Sequence, residues 1–308
     1  MDVLHDIFEV IQLRGTLYFR TDFSPPWGTT VPALGKAARF HFVVAGQCWL
    51  RIDGGDPTCL EAGDFVLIPN GASHVLSHAP DAKAPPLEQV LKAVGYTGES
   101  LLAVGSGDPD ASTQLVCGHF NFDATADHPI LRALPHGVVI RAASRAQRPW
   151  FDEALQLLVK HVFSNHPGSR AAVARLSEIL FIEAVRSAEE EAPELSQLMR
   201  AFSDRRIGRA LAEIHANPQR AWTVANLAAA AGMSRTRFAT QFQELMGIGP
   251  IRYLTDWRLQ RAAAALRNSR QSVAEIAYAN GYRNATAFGR AFRERFGFPP
   301  GQLRNQAE

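Results

Sequence analysis

Between Val224 and Leu303 the chain carries one phrase twice: VANLAAAAGMSRTRFATQFQELMGIGP, then VAEIAYANGYRNATAFGRAFRERFGFPP. Val224, Leu227 and Gly232 align with Val273, Ile276 and Gly281 at a constant offset. One extra residue in the second turn shifts the register, after which Phe238, Phe242, Gly247 and Pro250 align with Phe288, Phe292, Gly297 and Pro300. Thr223 and Ser272 are N-cap residues, and the alanine-rich stretch after each has high helix propensity and little bulk. Gly232 and Gly281 stand where that helix must stop, a position that favours left-handed backbone. Ser234 or Asn284 then opens a second helix, in which phenylalanines four apart share the face that meets the first. Glycine and proline end each copy. Each copy therefore reads as a helix-turn-helix.

The residues between the phenylalanines face outward. They are Arg235, Thr236, Arg237, Thr240 and Gln241 in the first copy, and Arg283, Ala285, Thr286, Gly289, Arg290 and Arg293 in the second, after the cap Asn284. Arginine, threonine and glutamine suit base edges and phosphates. Between the copies, IRYLTDWRLQRAAAALRN reads as one helix with Tyr253, Leu254, Trp257, Leu259 and Leu266 as apolar contacts. Such a rod, about 27 Å long, would hold two recognition helices about one turn of DNA apart, near 34 Å. Charge points the same way. Residues 205–308 hold 16 Arg and no Lys against 6 acidic residues, whereas residues 1–150 hold 11 basic and 15 acidic ones; the net +2 of the chain hides this. A cationic segment on an otherwise acidic chain is the footprint of polyanion binding.

On these residues, GYRNATAFGRAFRERFGFPP above all, the last hundred positions resemble the AraC family of transcription regulators. The resemblance implies two helix-turn-helix units joined by a long helix. It places base reading on Thr236, Ala239 and Thr240 in the first recognition helix, and on Ala285, Thr286 and Arg290 in the second. Ala239, Ala285 and Gly289 depart from the long polar residues of some members, so base reading is expected to lean on Arg237, Thr240 and Arg290.

The chain of 308 residues, 46% hydrophobic, has room for more than one domain. No run of 18 apolar residues is present, and MDVLHDIFEVIQLRGTLYFR lacks a basic-then-apolar signal pattern; it reads as a short amphipathic helix and a strand. Cys48, Cys59 and Cys117 form no CxxC pair and suit reduced packing thiols in a cytoplasm. From about Gly15 to Val139 come short strands cut by glycine and proline: GTLYFR, RFHFVVAG, QCWLRI, FVLIP, SLLAVG, QLVCGHFNF and GVVIR. They suggest an all-β barrel or sandwich.

Within them, Gly63 to His74 has the spacing G-x5-P-x-G-x2-H, which resembles the second motif of cupin barrels. CGHFNFD at 117–123 is similar to the cupin-type sensor domain of a subgroup of AraC-like regulators. Cupin enzymes hold a metal through histidines and a glutamate, but Arg39 stands where that glutamate would sit. Two alternatives stay open. Three of His41, His74, His78 and His119 would suit a divalent metal, or His41, His74 and His119 are hydrogen-bonded residues of a barrel that admits a small ligand. The second is favoured. No matched acid–base pair accompanies them, so an enzyme is not expected.

Two further helices follow, at 151–165 and 169–191, broken at Asn165–Ser169. Val173, Leu176, Ile179, Leu180, Phe181, Ile182 and Val185 clothe more than one side of the second, so it is expected to pack in a homodimer or else in an intrachain hairpin. EEEAPELS at 189–196 reads as an exposed linker. The expected chain is a multidomain α+β protein: a cupin-like β-barrel over 1–149, a helical linker over 150–200, and an all-α domain with two helix-turn-helix units over 201–308. The expected partners are double-stranded DNA, a small-molecule effector, RNA polymerase and a second copy, with no membrane.

Overall fold

The computed structural model describes residues 2–98, 101–108, 111–123, 125–162, 164 and 166–305. Its strands are β1 (Arg14–Phe23), β2 (Gly28–Val31), β3 (Ala37–Ala45), β4 (Gln47–Ile52), β5 (Thr58–Glu61), β6 (Phe65–Ile68), β7 (His74–Ser77), β8 (Leu102–Val104), β9 (Thr113–Asn121) and β10 (Val138–Ile140). Its helices are α1 (Val3–Ile11), α2 (Leu87–Ala93), α3 (Pro129–Arg132), α4 (Pro149–Val162), α5 (Ser169–Ala188), α6 (Pro193–Ser203), α7 (Ile207–Ala216), α8 (Val224–Ala230), α9 (Arg235–Met246), α10 (Pro250–Asn268), α11 (Val273–Ala279), α12 (Ala285–Phe296) and α13 (Pro300–Asn305). The strands β2, β5 and β7 are not among those expected from sequence, because GTTV, TCLE and HVLS mix polar and apolar residues and, unlike FVLI of β6, show no apolar run. Ser100 of the expected strand SLLAVG lies outside the described residues.

The chain packs as two units that interleave in sequence. One is Leu13–Phe122 with Leu134–Glu191; the other is Met1–Gln12, Asp123–Ala133 and Ala192–Glu308. These limits differ from breaks after 149 and 200, because α1, the segment after β9, and α6 each pack against helices far along the chain.

In the first unit, β10-β6-β3-β9-β1-β8 make a six-stranded sheet and β2-β7-β4-β5 a four-stranded one. Among the described strands, β1 and β8 pair in parallel and the other paired strands are antiparallel. The expected barrel is corrected to two open sheets: the larger ends on β8 and β10, three residues each, and neither bonds into the smaller. Closure needs a continuous ladder around the ring. Between the sheets pack Val43, Leu115 and Cys117 with Cys48, Leu50, Leu60 and Leu76. Helices cover the larger sheet's other face, where Phe65 meets Phe151 of α4 at 5.5 Å and Phe120 meets Phe181 of α5 at 5.1 Å. With both faces covered, β3 is buried from Ala37 to Val43, Arg39 and His41 included. Gly118 lies beneath Phe40, where a Cβ would stand 2.3 Å from the ring.

The helices read over 151–165 and 169–191 are α4 and α5; Phe163 and Asn165 lie outside the described residues. They pack on each other, and α5 packs on β1. Val173, Leu180, Phe181 and Val185 are buried, so intrachain packing uses much of the apolar excess, while Trp150, Leu157 and Ile179 remain exposed. The expected linker at 189–196 is not exposed throughout. Ala192 and Leu195 are buried, and Pro193 at the first helical position opens α6, which packs on α9.

The second unit is helical. A buried hydrogen-bond chain runs through it, and its proton directions follow from its ends. The amide of Ile130 donates to His128 Nδ1 (3.2 Å), so His128 Nε2 donates to the Tyr253 hydroxyl (3.3 Å). Tyr253 donates to His215 Nε2 (2.8 Å), and His215 Nδ1 donates to the Asp6 carboxylate (3.3 Å). His215 also stacks on Trp257 at 4.0 Å. Burial keeps both rings neutral, His128 well below the usual imidazole range and His215 at about 3. The chain joins α1, the segment before α3, α7 and α10.

Candidate nucleic-acid interface and sensor cavity

Each helix-turn-helix is built as the repeat dictates. Thr223 forms a capping box with Asn226 at the start of α8, and Ser272 with Glu275 at the start of α11. Its bonds to Ser272 hold the Glu275 carboxyl below its ordinary range. Gly232 (φ 64°) and Gly281 (φ 79°) make the turns. Phe238 and Phe242 of α9, and Phe288 and Phe292 of α12, are fully buried and hold each recognition helix against its partner. The helix α10 between them has 19 residues, about 28 Å of rod, with Tyr253, Leu254, Trp257, Leu259 and Leu266 buried.

Half a turn from the buried phenylalanines lie Thr236, Thr240 and Gln243 in α9, and Thr286, Arg290 and Arg293 in α12. Arg235, Thr236, Arg237, Thr240, Arg283, Asn284, Thr286, Arg290 and Arg293 are exposed, and no ion pair among the described residues occupies their five arginines. Two predicted residues have structural work as well. Gln241 reaches Asp204 at 3.5 Å, and the Asn284 side chain accepts from the Ala287 amide at 2.8 Å as the cap of α12.

Of the four histidines read from the first unit, two meet. His41 Nε2 and His74 Nε2 are 2.8 Å apart, His41 Nδ1 is 3.0 Å from Cys117 Sγ, and His74 Nδ1 is 2.9 Å from the Ala72 carbonyl. The carbonyl can only accept, so the order is fixed: Cys117 donates to His41, His41 to His74, and His74 to the backbone. Burial, then the neighbouring His74 and Arg39 charges, lowers His41 well below its ordinary value. His74 is lowered to about 4, chiefly by burial, and burial pushes the Cys117 thiol up. The thiol is protonated and both imidazoles neutral. His78 Nδ1 instead lies 2.6 Å from the Trp27 carbonyl and 3.1 Å from the Trp27 amide, and His119 lies beside Asn121. A cupin-type metal does not fit this set. The facing nitrogens of His41 and His74 are spent on each other, and no group of three or more His, Cys, Asp or Glu among the described residues is placed to hold an ion.

Next to this relay a narrow, part-open apolar cavity lies between the sheets. Phe19, Phe23, Val31, Leu76, Leu102 and Leu115 line it, with Thr21, Thr29, His41 and Cys117. The Thr29 hydroxyl is buried there without a hydrogen-bond partner among the described residues.

A cupin family model matches residues 2–190 and a helix-turn-helix domain model residues 227–306. An AraC-like transcription regulator of Streptomyces lividans is 31% identical over 99% of this chain and 98% of its own. The chain belongs to the AraC family of transcription regulators. The HTH-type transcriptional regulator MtrA of Neisseria gonorrhoeae is 28% identical over 99% of both chains. The DNA-binding domain of AdpA, solved with a target DNA, is 30% identical over 33% of this chain and 92% of that one, with a TM-score of 0.32.

As an AraC-family member the chain is a DNA-binding transcriptional regulator with an amino-terminal cupin domain, and its arginines divide into two sets. Arg258 donates to the Pro218 and Arg220 carbonyls at 2.6 and 2.7 Å, and Arg304 to that of Gln271. Arg252 pairs with Asp256, Arg267 with Asp123, and Arg295 with Asp127 and Asp256. The sequence reading treated all 16 as one cationic footprint, although these five are committed within the unit. Among the described residues, no helix is long and apolar enough to cross a membrane.

Proposed function

We propose that the chain is a sequence-specific regulator whose DNA binding is modulated by a small, largely apolar ligand in the cupin domain. The observation that carries the DNA half is the pair of recognition helices with Arg235, Arg237, Arg283, Arg290 and Arg293 exposed and in no ion pair among the described residues. The ligand half rests on the apolar cavity and on Thr29, whose buried hydroxyl gains a partner only when a polar atom enters. A ligand that fits one arrangement of the chain better than another shifts DNA affinity by that difference. The exposed Trp150, Leu157 and Ile179 on α4 and α5 are apolar surface that a second copy would bury, in keeping with a homodimer.

The test has two arms on the full chain. Duplexes are selected from a random pool and their affinity measured against competitor; absence of any preferred sequence removes the DNA half. A panel of small apolar alcohols, ketones and hydrocarbons is then screened by thermal shift. A ligand that raises Tm, changes affinity for the selected duplex and loses its effect in Thr29→Val supports the ligand half; a panel without effect on either removes it.

A further inference from the structure

Arg295 is on the recognition helix α12, yet it turns inward with Phe288 and Phe292, and its side chain is only 15% exposed. Its guanidinium pairs with Asp127, and its Nε lies 3.2 Å from Asp256 of α10, which Arg252 also holds at 3.0 Å. The Asp127 carbonyl accepts from Gln260 of α10 at 3.2 Å, and its carboxylate reaches Arg132 at 3.5 Å. Four residues earlier, Asp123 pairs with Arg267 near the end of α10. One short segment, Asp123–Ala133, therefore grips both the rod and the helix that the rod presents.

We infer that Asp127 is a positioning residue for DNA recognition: it fixes the angle at which α12 leaves α10, and so whether the second recognition helix enters the groove in register with the first. The guanidinium hydrogen-bonds to the Asp127 carboxylate, which fixes it in direction, while Asp256 adds charge attraction at 3.2 Å without an aligned hydrogen bond. Among the described residues, the first recognition helix, α9, has none of these contacts. Asp127 therefore affects one half of the binding site and leaves the other alone. The segment also continues directly from β9, whose Leu115 and Cys117 line the cavity and whose last residue is Asn121. If a ligand acts through β9, this is the first structure downstream. That last step rests on the ligand reading above; the positioning role does not.

Full-length Asp127→Asn is compared with the parent on a duplex selected by the parent from a random pool, by hydroxyl-radical footprinting and binding titration. Arg290→Ala identifies which half-site belongs to α12. The expected result is loss of protection over that half only and affinity down about tenfold. Tm is expected within a few degrees, with both halves restored in the charge-conserving Asp127→Glu. Arg295→Gln reads the same pair from its other end should Asp127→Asn fail to fold. Equal weakening of both halves, or an unchanged footprint in a folded variant, overturns the proposal. Either outcome leaves the ligand reading to its own thermal-shift test.

Discussion

Arg290→Ala separates recognition from stability more cleanly than any other single change. The side chain is exposed, lies half a turn from the buried Phe288 and Phe292, and has no ion-pair partner among the described residues, so removing it breaks nothing inside the unit. Surface substitutions of that kind stay within about 0.5 kcal/mol, and Tm is expected to hold. Against DNA, losing a base-reading arginine costs about 1–3 kcal/mol, roughly a 5- to 150-fold loss of affinity, with relaxed preference at one position. An arginine that met only phosphate would weaken all sequences alike and lower the salt slope by about one. The assay is titration of parent and variant against the selected duplex, single-position variants of it, and random duplex, at several salt concentrations. Parallel loss on every duplex, with base preference intact, refutes base reading by Arg290; an unchanged affinity places this face of α12 away from DNA altogether.

Other changes should act through the fold. Phe288→Ala empties the contact between α11 and α12 and is expected to cost about 3–5 kcal/mol, read by denaturant titration. Gly118→Ala drives a methyl into the Phe40 ring, from which its Cβ would stand 2.3 Å away, and is expected to cost about 1–3 kcal/mol; unaltered stability would mean the sheet yields there. His74 has its folded pKa near 4, below the ordinary 6.5. The unfolded chain therefore binds the extra proton first, and stability falls as pH drops from about 6.5 to 4. His74→Gln should make that part of a stability-against-pH curve less steep, the buried neutral His41, His128 and His215 keeping the remaining slope.

Local chemistry made the helix-turn-helix pair legible. Caps, turn glycines and phenylalanines four apart each act within one turn of helix, so their order along the chain is the information. The sensor domain was harder. The sequence offers His41, His74, His78 and His119 as candidates, but which of them face each other depends on register and on sheet pairing, and among the described residues only His41 and His74 do. The acidic run before α6 masked a helix start, because Glu189–Glu191 is polar while the buried Ala192 and Leu195 are too few to show a period. The pairings of Asp127 with Arg295 and Asp6 with His215 span most of the chain, and no local pattern announces them.

The Asp6–His215–Tyr253–His128 series has a practical outcome for anyone dissecting the protein. The protons are given from His128 through Tyr253 and His215 to the Asp6 carboxylate, which only accepts, so cutting the polypeptide at the start of the DNA-binding helices strips the outer two and leaves Tyr253 and His215 facing water-accessible gaps beside Trp257. A carboxy-terminal fragment beginning at 201 is thus an amputated core. Supplying a peptide of residues 1–12 should tighten such a fragment, making the first helix of the chain a keystone for its last hundred residues.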